Sequence, residues 1–470
     1  MDVKFGTSGL RGLAVDLCAG AAFRHVHGFC RMLAQTGKAA PGSAIFFAHD
    51  KRQSSQLLAA QTAQAVRQAG FVAQDCGEVP TPALAFHAFR QGAAAIMITG
   101  SHIPADRNGL KFYLPGAEIG KSDEAGIIEG AGAAPGLPET TPALGANSAE
   151  DVMAQWRERY RDLLPAGHFS GMRIGVHEHS SVATDFLGDL LAGFGATIHR
   201  FGKTAQFTPV DTEAVAPKFL SHYAEVAAAN RLDAIISADA DGDRPLLAAA
   251  NGQPVPGDLI GWLAAQWADA DAVATPVTSN SAIVDGAGVT VHRTRVGSPY
   301  VIAAMEDAIA EGAKCVAGFE ANGGFLLASD TLINGRPVAA LPTRDSTLPI
   351  LAALDAMRVR GLRAGELAQA SGFRATAGNR ISDYPAERSA ALMAALDNES
   401  QAGRLLAPIG VTENVDRTDG LRFFLKGGEV LHFRPSGNAP EMRCYAEASN
   451  ENRVNELLGQ GLDFIVRFGK

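Results

Sequence analysis

Apolar runs recur along this chain at regular intervals, and each is followed by a polar break. Ala44-Ile45-Phe46-Phe47-Ala48, Phe71-Val72-Ala73 and Ala93 to Ile98 read as strands, with helical spacing over residues 20–35 and Ser55–Ala69. Strand, helix, strand, helix, strand is the rhythm of a parallel βαβ sheet. The run ending at Ile98 has no alternation, as expected of a strand buried on both faces. The rhythm restarts at Met172–Val176 and passes through a helix over about Val182–Phe194, a strand at Ala196–Ile198 and a helix at Ser221–Asn230. It closes on the strand Asp233–Ser237. A third round after Pro254 takes in Ala272–Ala274, Val289–Val291, a helix over Pro299–Ala310 and the strand Lys314–Ala317.

The last hundred or so residues differ. Short strands at Asp419–Leu425, Glu429–Arg434 and Met442–Ala446, then a helix from Glu451, make an α+β module. Between Glu129 and Asn147 the composition turns to Gly, Ala, Pro and Thr, a linker pattern, and Ser148 with Asp151 has capping-box spacing. The expected fold is α/β: three similar α/β units with mixed, mostly parallel sheets, plus a C-terminal α+β domain, around one central cleft. The expected domains are 1–147, 148–253, 254–368 and 369–470.

Composition narrows the class. Hydrophobic residues make up 47% of 470, enough for large cores, and the net charge of −9 argues against a nucleic-acid surface. Five scattered cysteines without a Cys-x-x-Cys pair indicate neither a disulfide framework nor a thiolate zinc site. The N-terminus lacks a secretory pattern, and no apolar run approaches the ~20 residues that span a bilayer. A soluble, cytoplasmic protein is expected, with no nucleic-acid or membrane partner.

Each repeated unit ends on a chemically distinct loop. Ser101 and His102 follow the strand ending at Ile98, where ligands gather in open α/β sheets, and Lys111 lies ten residues beyond Ser101. Asp239, Asp241 and Asp243 follow the strand ending at Ser237. Three carboxylates without His or Cys suit Mg²⁺. The EF-hand pattern fails because Gly242 precedes the third Asp, and a haloacid-dehalogenase pattern fails at the same glycine; a solvated acidic turn is the plain alternative. Glu320 and Asn322, flanked by glycines, suit vicinal sugar hydroxyls. Arg434, Ser436, Asn438 and Arg443 suit a phosphate. Residues 4–12 read as an irregular glycine-rich opening with one cation, Arg11. No Walker A or dinucleotide fingerprint occurs.

Phe-Gly-Thr-Ser-Gly-Leu-Arg-Gly (5–12), Thr-Gly-Ser-His-x-Pro (99–104), Asn-Gly-x-Lys (108–111), Asp-x-Asp-Gly-Asp-Arg (239–244) and Arg-Pro-Ser-Gly (434–437) together resemble the α-D-phosphohexomutase family, in its order and spacing. The resemblance implies a phosphorylated Ser101, with Mg²⁺ held by that phosphate, Asp239, Asp241 and Asp243. It implies Lys111 or His102 as general acid/base, with Arg11 and Arg244 near the transferring phosphoryl group. A hexose 6-phosphate and a hexose 1-phosphate would interconvert through a bound hexose 1,6-bisphosphate, the non-reacting phosphate resting on Arg434, Ser436, Gly437, Asn438 and Arg443. Arg295 and Ser298 sit where the family's other sugar loop lies, without its usual His. Ile103 replaces the usual Asn, Asn438-Ala439 the usual Thr-Glu, and Asn322 stands for a serine. These departures favour phosphomannomutase activity over phosphoglucomutase, with phosphoglucosamine mutase third. A catalytically silent phosphosugar-binding protein and a metal-dependent phosphatase are the readings from other classes. The oligomeric state is not legible.

Overall fold

The computed structural model describes residues 3–6, 9–140, 143–286, 288–436 and 440–468. They form two compact units, Met1–Val273 with Met305–Leu367, and Ala274–Ala304 with Ala368–Lys470.

The first unit opens with β1 (Lys4–Gly6), β2 (Gly9–Leu13), β3 (Ala44–His49), β4 (Val72–Asp75), β5 (Ala94–Ile98), β6 (Arg107–Leu114) and β7 (Ala117–Glu118). They form one sheet ordered β1-β2-β6-β5-β3-β4, with β7 on β6. β3 runs parallel to β4 and β5, giving the expected βαβ core, and the remaining pairs are antiparallel. Every residue of β5 is buried, as its unbroken apolar run requires.

Two local expectations are corrected. Residues 4–6 and 9–13 pair as antiparallel strands, with Lys4 opposite Arg11 and Arg11 opposite Gly109 of β6. The glycines that suggested an irregular loop serve close strand contact instead, because a Cβ on Gly9 would run into the Leu110 carbonyl and lie 3.1 Å from Lys111 Cα. Thr7 and Ser8 lie outside the described residues. Ser148 precedes the helix Ala149–Tyr160 without capping it through its side chain. Its hydroxyl donates to the Asp75 carbonyl at 3.1 Å, a competing partner outside the helix.

A second sheet holds β8 (Arg173–His177), β9 (Thr197–Phe201), β10 (Ala234–Ala238) and β11 (Pro245–Ala249), ordered β11-β10-β8-β9. β8 is parallel to β9 and β10, and β11 returns antiparallel. The chain enters the second unit along β12 (Ala272–Pro276), passes β13 (Thr290–Thr294), and returns through the helix Ser298–Ala310. Back in the first unit, β14 (Val316–Phe319), β15 (Phe325–Leu327) and β18 (Leu341–Asp345) pair antiparallel in that order. Between them β16 (Thr331–Ile333) and β17 (Arg336–Val338) form a separate ribbon.

The second unit is built on β19 (Ala375–Ile381), β20 (Thr412–Asp416), β21 (Leu421–Leu425), β22 (Glu429–Pro435) and β23 (Met442–Ala448). Their order is β19-β23-β22-β21-β20, antiparallel throughout. Alternation is clean here: Leu421, Phe423, Leu431, Phe433, Cys444 and Ala446 face a core closed by helices such as Glu451–Arg467. Residues 274–304, read from sequence with 254–368, belong to this unit because hydrogen bonds tie them to it. Asn280 Nδ2 donates to the Arg374 carbonyl at 2.9 Å, Ser281 donates to the Glu447 carboxylate, and the Val296 amide donates to Asp419 at 3.0 Å. No helix among the described residues is long and apolar enough to cross a membrane.

Candidate active site

Ser101 lies just beyond β5, where the sheet ends and backbone groups need partners other than a ladder. Its φ is +53°, in the left-handed region that costs a non-glycine residue about 1–2 kcal/mol. A local network holds it there. The Ser101 amide donates to Thr99 Oγ1 at 2.8 Å, and Thr99 Oγ1 donates to Asp50 Oδ2 at 2.8 Å. The buried Ser101 hydroxyl donates to Asp239 Oδ2 at 2.5 Å, and His102 Nδ1 lies 3.2 Å from Ser101 Oγ. Burial, with the nearby charges of Arg244 and Arg11, lowers the His102 pKa to about 4 against the weaker opposing pull of Asp211 and Asp243.

The carboxylate loop follows β10. The three Asp side chains converge because the chain turns at Gly242, whose φ of +72° suits glycine and where a Cβ would lie 2.6 Å from that of Ala183. Asp239, Asp241 and Asp243 are all buried, and their oxygens lie within 4.8 Å of one another. Burial pushes the Asp239 pKa well up, reinforced by Asp241 and Asp243. Asp243 goes the other way: burial opposes ionisation, but Lys111, Arg344 and Arg244 outweigh it and hold the group well below the usual carboxylate range.

The cations that balance the loop come from β6, β18 and the loop itself. Lys111 Nζ donates to Asp241 Oδ2 and Asp243 Oδ2, both at 2.5 Å. Burial alone would lower its pKa, and these carboxylates raise it instead, so Lys111 is a charged partner. Arg344 Nε donates to Asp243 Oδ2 at 3.1 Å, and its Nη1 donates to Glu320 Oε2 at 3.0 Å. Arg244 sits 3.9 Å from Asp243 Oδ1. Arg11 is close enough to Arg244 and Arg344 that burial and these cations lower its pKa to about 10. Thr81, at the N-terminal end of the helix Thr81–Arg90, donates its hydroxyl to Asp241 Oδ2 at 2.5 Å. The structure thus brings Arg11, Ser101, His102, Lys111, the Asp triplet, Arg244 and Glu320 together. Asn322 is buried in the glutamate loop, where its Oδ1 accepts from the Gly324 amide at 3.0 Å.

These residues fit a metal ion. Asp241 Oδ1 and Asp243 Oδ1 are buried and meet no hydrogen-bond donor among the described residues, an arrangement that is costly unless a cation supplies the missing interaction. The donor set is all oxygen, which suits a hard divalent cation.

The remaining candidate residues lie in the second unit. Arg295, Tyr300, Arg417, Asp419 and Arg434 line a recess of about 240 Å³. Asp419 Oδ2 organises it by accepting from Arg434 Nε at 2.7 Å and from the Val296 amide at 3.0 Å. Arg295 Nε donates to the Thr418 carbonyl at 3.3 Å. Ser298 is buried nearby in sequence, and its hydroxyl has no partner among the described residues. The Ser436 amide donates to the Glu441 carbonyl at 2.9 Å, and Arg443 pairs with Glu441 at 3.5 Å. Gly437 and Asn438 lie outside the described residues.

Arg344, Thr81 and the pair Asp50–Arg52 were missed from sequence. Asp50 and Arg52 follow the buried strand β3 at the same kind of address as Ser101, a signal that was available. Arg344 gives no such sign: it lies in the strand Leu341–Asp345, which the sequence reading did not assign and whose polar residues hide its burial.

Two family models match: phosphoglucomutase/phosphomannomutase alpha/beta/alpha domain I over residues 2–134, and domain III of the same family over 256–372. The chain is 46% identical to a phosphomannomutase of Sinorhizobium fredii, covering 98% of each chain. It is 40% identical to a phosphomannomutase of Salmonella muenchen, covering 96% of this chain and 92% of the relative. Among solved structures, a phosphoglucomutase/phosphomannomutase family protein of Burkholderia thailandensis superposes with a TM-score of 0.74. At 19% identity, with 99% of this chain and 98% of that one covered, it shows the same fold.

Two outcomes are expected. Calorimetric titration of the metal-free protein with a divalent cation should find one site per chain, and Asp241→Ala should abolish it; unchanged binding in the variant would remove the triplet's role. Arg344→Leu should destabilise the first unit by about 3–5 kcal/mol in denaturant unfolding, because Asp243 and Glu320 lose a buried partner.

Proposed function

The chain belongs to the phosphoglucomutase/phosphomannomutase family, and from that membership we propose that it interconverts mannose 6-phosphate and mannose 1-phosphate, carrying the phosphoryl group on Ser101. It is a phosphohexomutase, an isomerase; the sugar and the residue roles are our reading. The observation that carries the mechanism is the Ser101 hydroxyl set against Asp239 inside the buried carboxylate triplet. The names of the two relatives at 46% and 40% identity support mannose over glucose and glucosamine phosphates.

In the forward step phosphorus bonds to a sugar oxygen as its bond to Ser101 Oγ breaks. The proton that the sugar hydroxyl gives up returns to Ser101 Oγ, and His102 Nδ1 is within reach of that oxygen. Charge developing on the transferring group faces Arg244 and Arg11, fixed in advance by burial and ion pairing. Lys111 remains bound to Asp241 and Asp243 and holds their carboxylates in place. Asp239, Asp241 and Asp243 would hold Mg²⁺ together with the Ser101 phosphate, and the ion when bound supplies Lewis-acid polarisation of the phosphoryl oxygens. A hexose 1,6-bisphosphate serves as intermediate and as the activator that phosphorylates Ser101. Glu320 and Asn322 receive sugar hydroxyls, with Arg295 and Ser298 as further sugar contacts. Arg434, Ser436, Gly437, Asn438 and Arg443 anchor the phosphate that is not transferred.

A coupled assay primed with bisphosphate and Mg²⁺ tests this reading. Mannose 1-phosphate should turn over with a higher kcat/KM than glucose 1-phosphate, and Ser101→Ala should lose roughly three decades or more of activity while staying folded. Preference for glucose 1-phosphate would move the assignment to phosphoglucomutase. An active Ser101→Ala would overturn the phosphoserine itself.

A further inference from the structure

Resting on the phosphoserine reading above, we propose that Arg52 is a positioning residue for the reaction: among the described residues it makes no hydrogen bond or ion pair to the triplet, and it fixes the main chain that aims Ser101. Its guanidinium is buried. All five of its N–H donors are used. Nε donates to Asp50 Oδ2 at 3.2 Å, Nη1 to the carbonyls of Pro104 and Arg107 at 2.7 and 2.9 Å, and Nη2 to those of Ser101 and Ile103 at 2.8 and 2.7 Å. Four carbonyls of a single loop therefore converge on one planar cation, a geometry that a fork of fixed donors satisfies and a point charge does not.

The cation is fixed in turn. Asp50 accepts from the Arg52 amide at 3.0 Å and from Ser55 Oγ at 2.7 Å, besides Thr99 Oγ1. Because Thr99 Oγ1 also receives the Ser101 amide, the two backbone groups of Ser101, N–H and C=O, are held by one network centred on Asp50 and Arg52. On one side the guanidinium lies so close to Gly100 that a Cβ there would come within 2.7–2.9 Å of it. Across the guanidinium carbon the Phe207 ring centroid is 4.2 Å away, a cation–π contact. Holding Ser101 at a φ of +53° has a cost, and this network supplies the constraint. Without it the loop relaxes, and Ser101 Oγ loses its placement at 2.5 Å from Asp239.

The test compares wild type, Arg52→Lys and Phe207→Ala, with intact enzyme, Mg²⁺ and bisphosphate. Two readouts are taken: the steady-state kcat and KM for a hexose monophosphate, and the quenched-flow rate at which bisphosphate phosphorylates Ser101. Arg52→Lys should lower kcat and the phosphorylation rate in parallel by roughly 10- to 100-fold, with KM within about threefold of wild type. Phe207→Ala should show the same pattern more weakly, and it carries the test if Arg52→Lys does not fold. A folded Arg52→Lys with wild-type kcat, a loss confined to KM, or a lower melting temperature with unchanged turnover in Phe207→Ala would overturn the assignment. Failure of wild type itself to phosphorylate Ser101 would instead overturn the mutase mechanism on which the proposal rests.

Discussion

Burying three carboxylates in one turn is the constraint on which the first unit depends. Asp239, Asp241 and Asp243 lie at exposures of 0%, 0% and 1%, and like charges at this separation resist ionising together. The chain answers with buried cations drawn from distant sequence: Lys111 from β6, Arg344 from β18, and Arg244 from the loop itself. Asp239 and Asp243 are shifted in opposite directions. Asp243 is held ionised by its cations, whereas Asp239 is pushed toward its protonated form. Among the described residues Asp241 Oδ1 and Asp243 Oδ1 remain without donors, an arrangement that fits a metal ion.

That balance also bears on where Ser101 sits. Asp239 is the triplet member that no lysine or arginine side chain binds directly at hydrogen-bond distance among the described residues, and Ser101 is the group placed against it. Its other oxygen takes the amides of Asp243 and Arg244 at 3.1 and 3.2 Å, so the loop backbone orients it. Site and scaffold are thus continuous: the turn at Gly242 aims the carboxylates, and the contacts of Asp50, Arg52 and Thr99 aim the hydroxyl.

Most of this arrangement was legible where a residue's local pattern and its tertiary role coincide. The buried strand β5 announced itself as an unbroken apolar run and β10 as an apolar run interrupted at Ser237, and the loops beyond their ends carried Ser101 and the Asp triplet. β6 was not read as a strand, because Asn108 and Lys111 interrupt its apolar pattern. They are buried only because Asn108 donates to Ser54 and Ser55 and Lys111 meets the carboxylates, partners 53 to 132 residues away. The opening strand pair was hidden for a related reason: its glycines allow close strand packing, and glycine signals a loop unless its partner strand is known. Arg344 was invisible because its partners, Asp243 and Glu320 among them, lie far from it in sequence.

The central claim is that one serine, aimed by this network, carries the phosphoryl group. Phosphopeptide mapping by mass spectrometry, after incubation with a hexose 1,6-bisphosphate and Mg²⁺, tests it most directly. The account predicts one phosphoryl group per chain, on the peptide bearing Ser101 and on that residue, removed again when a hexose monophosphate is added in excess. Phosphate found on His102 or on any other residue, or a chain that turns over substrate without acquiring phosphate at all, would contradict it.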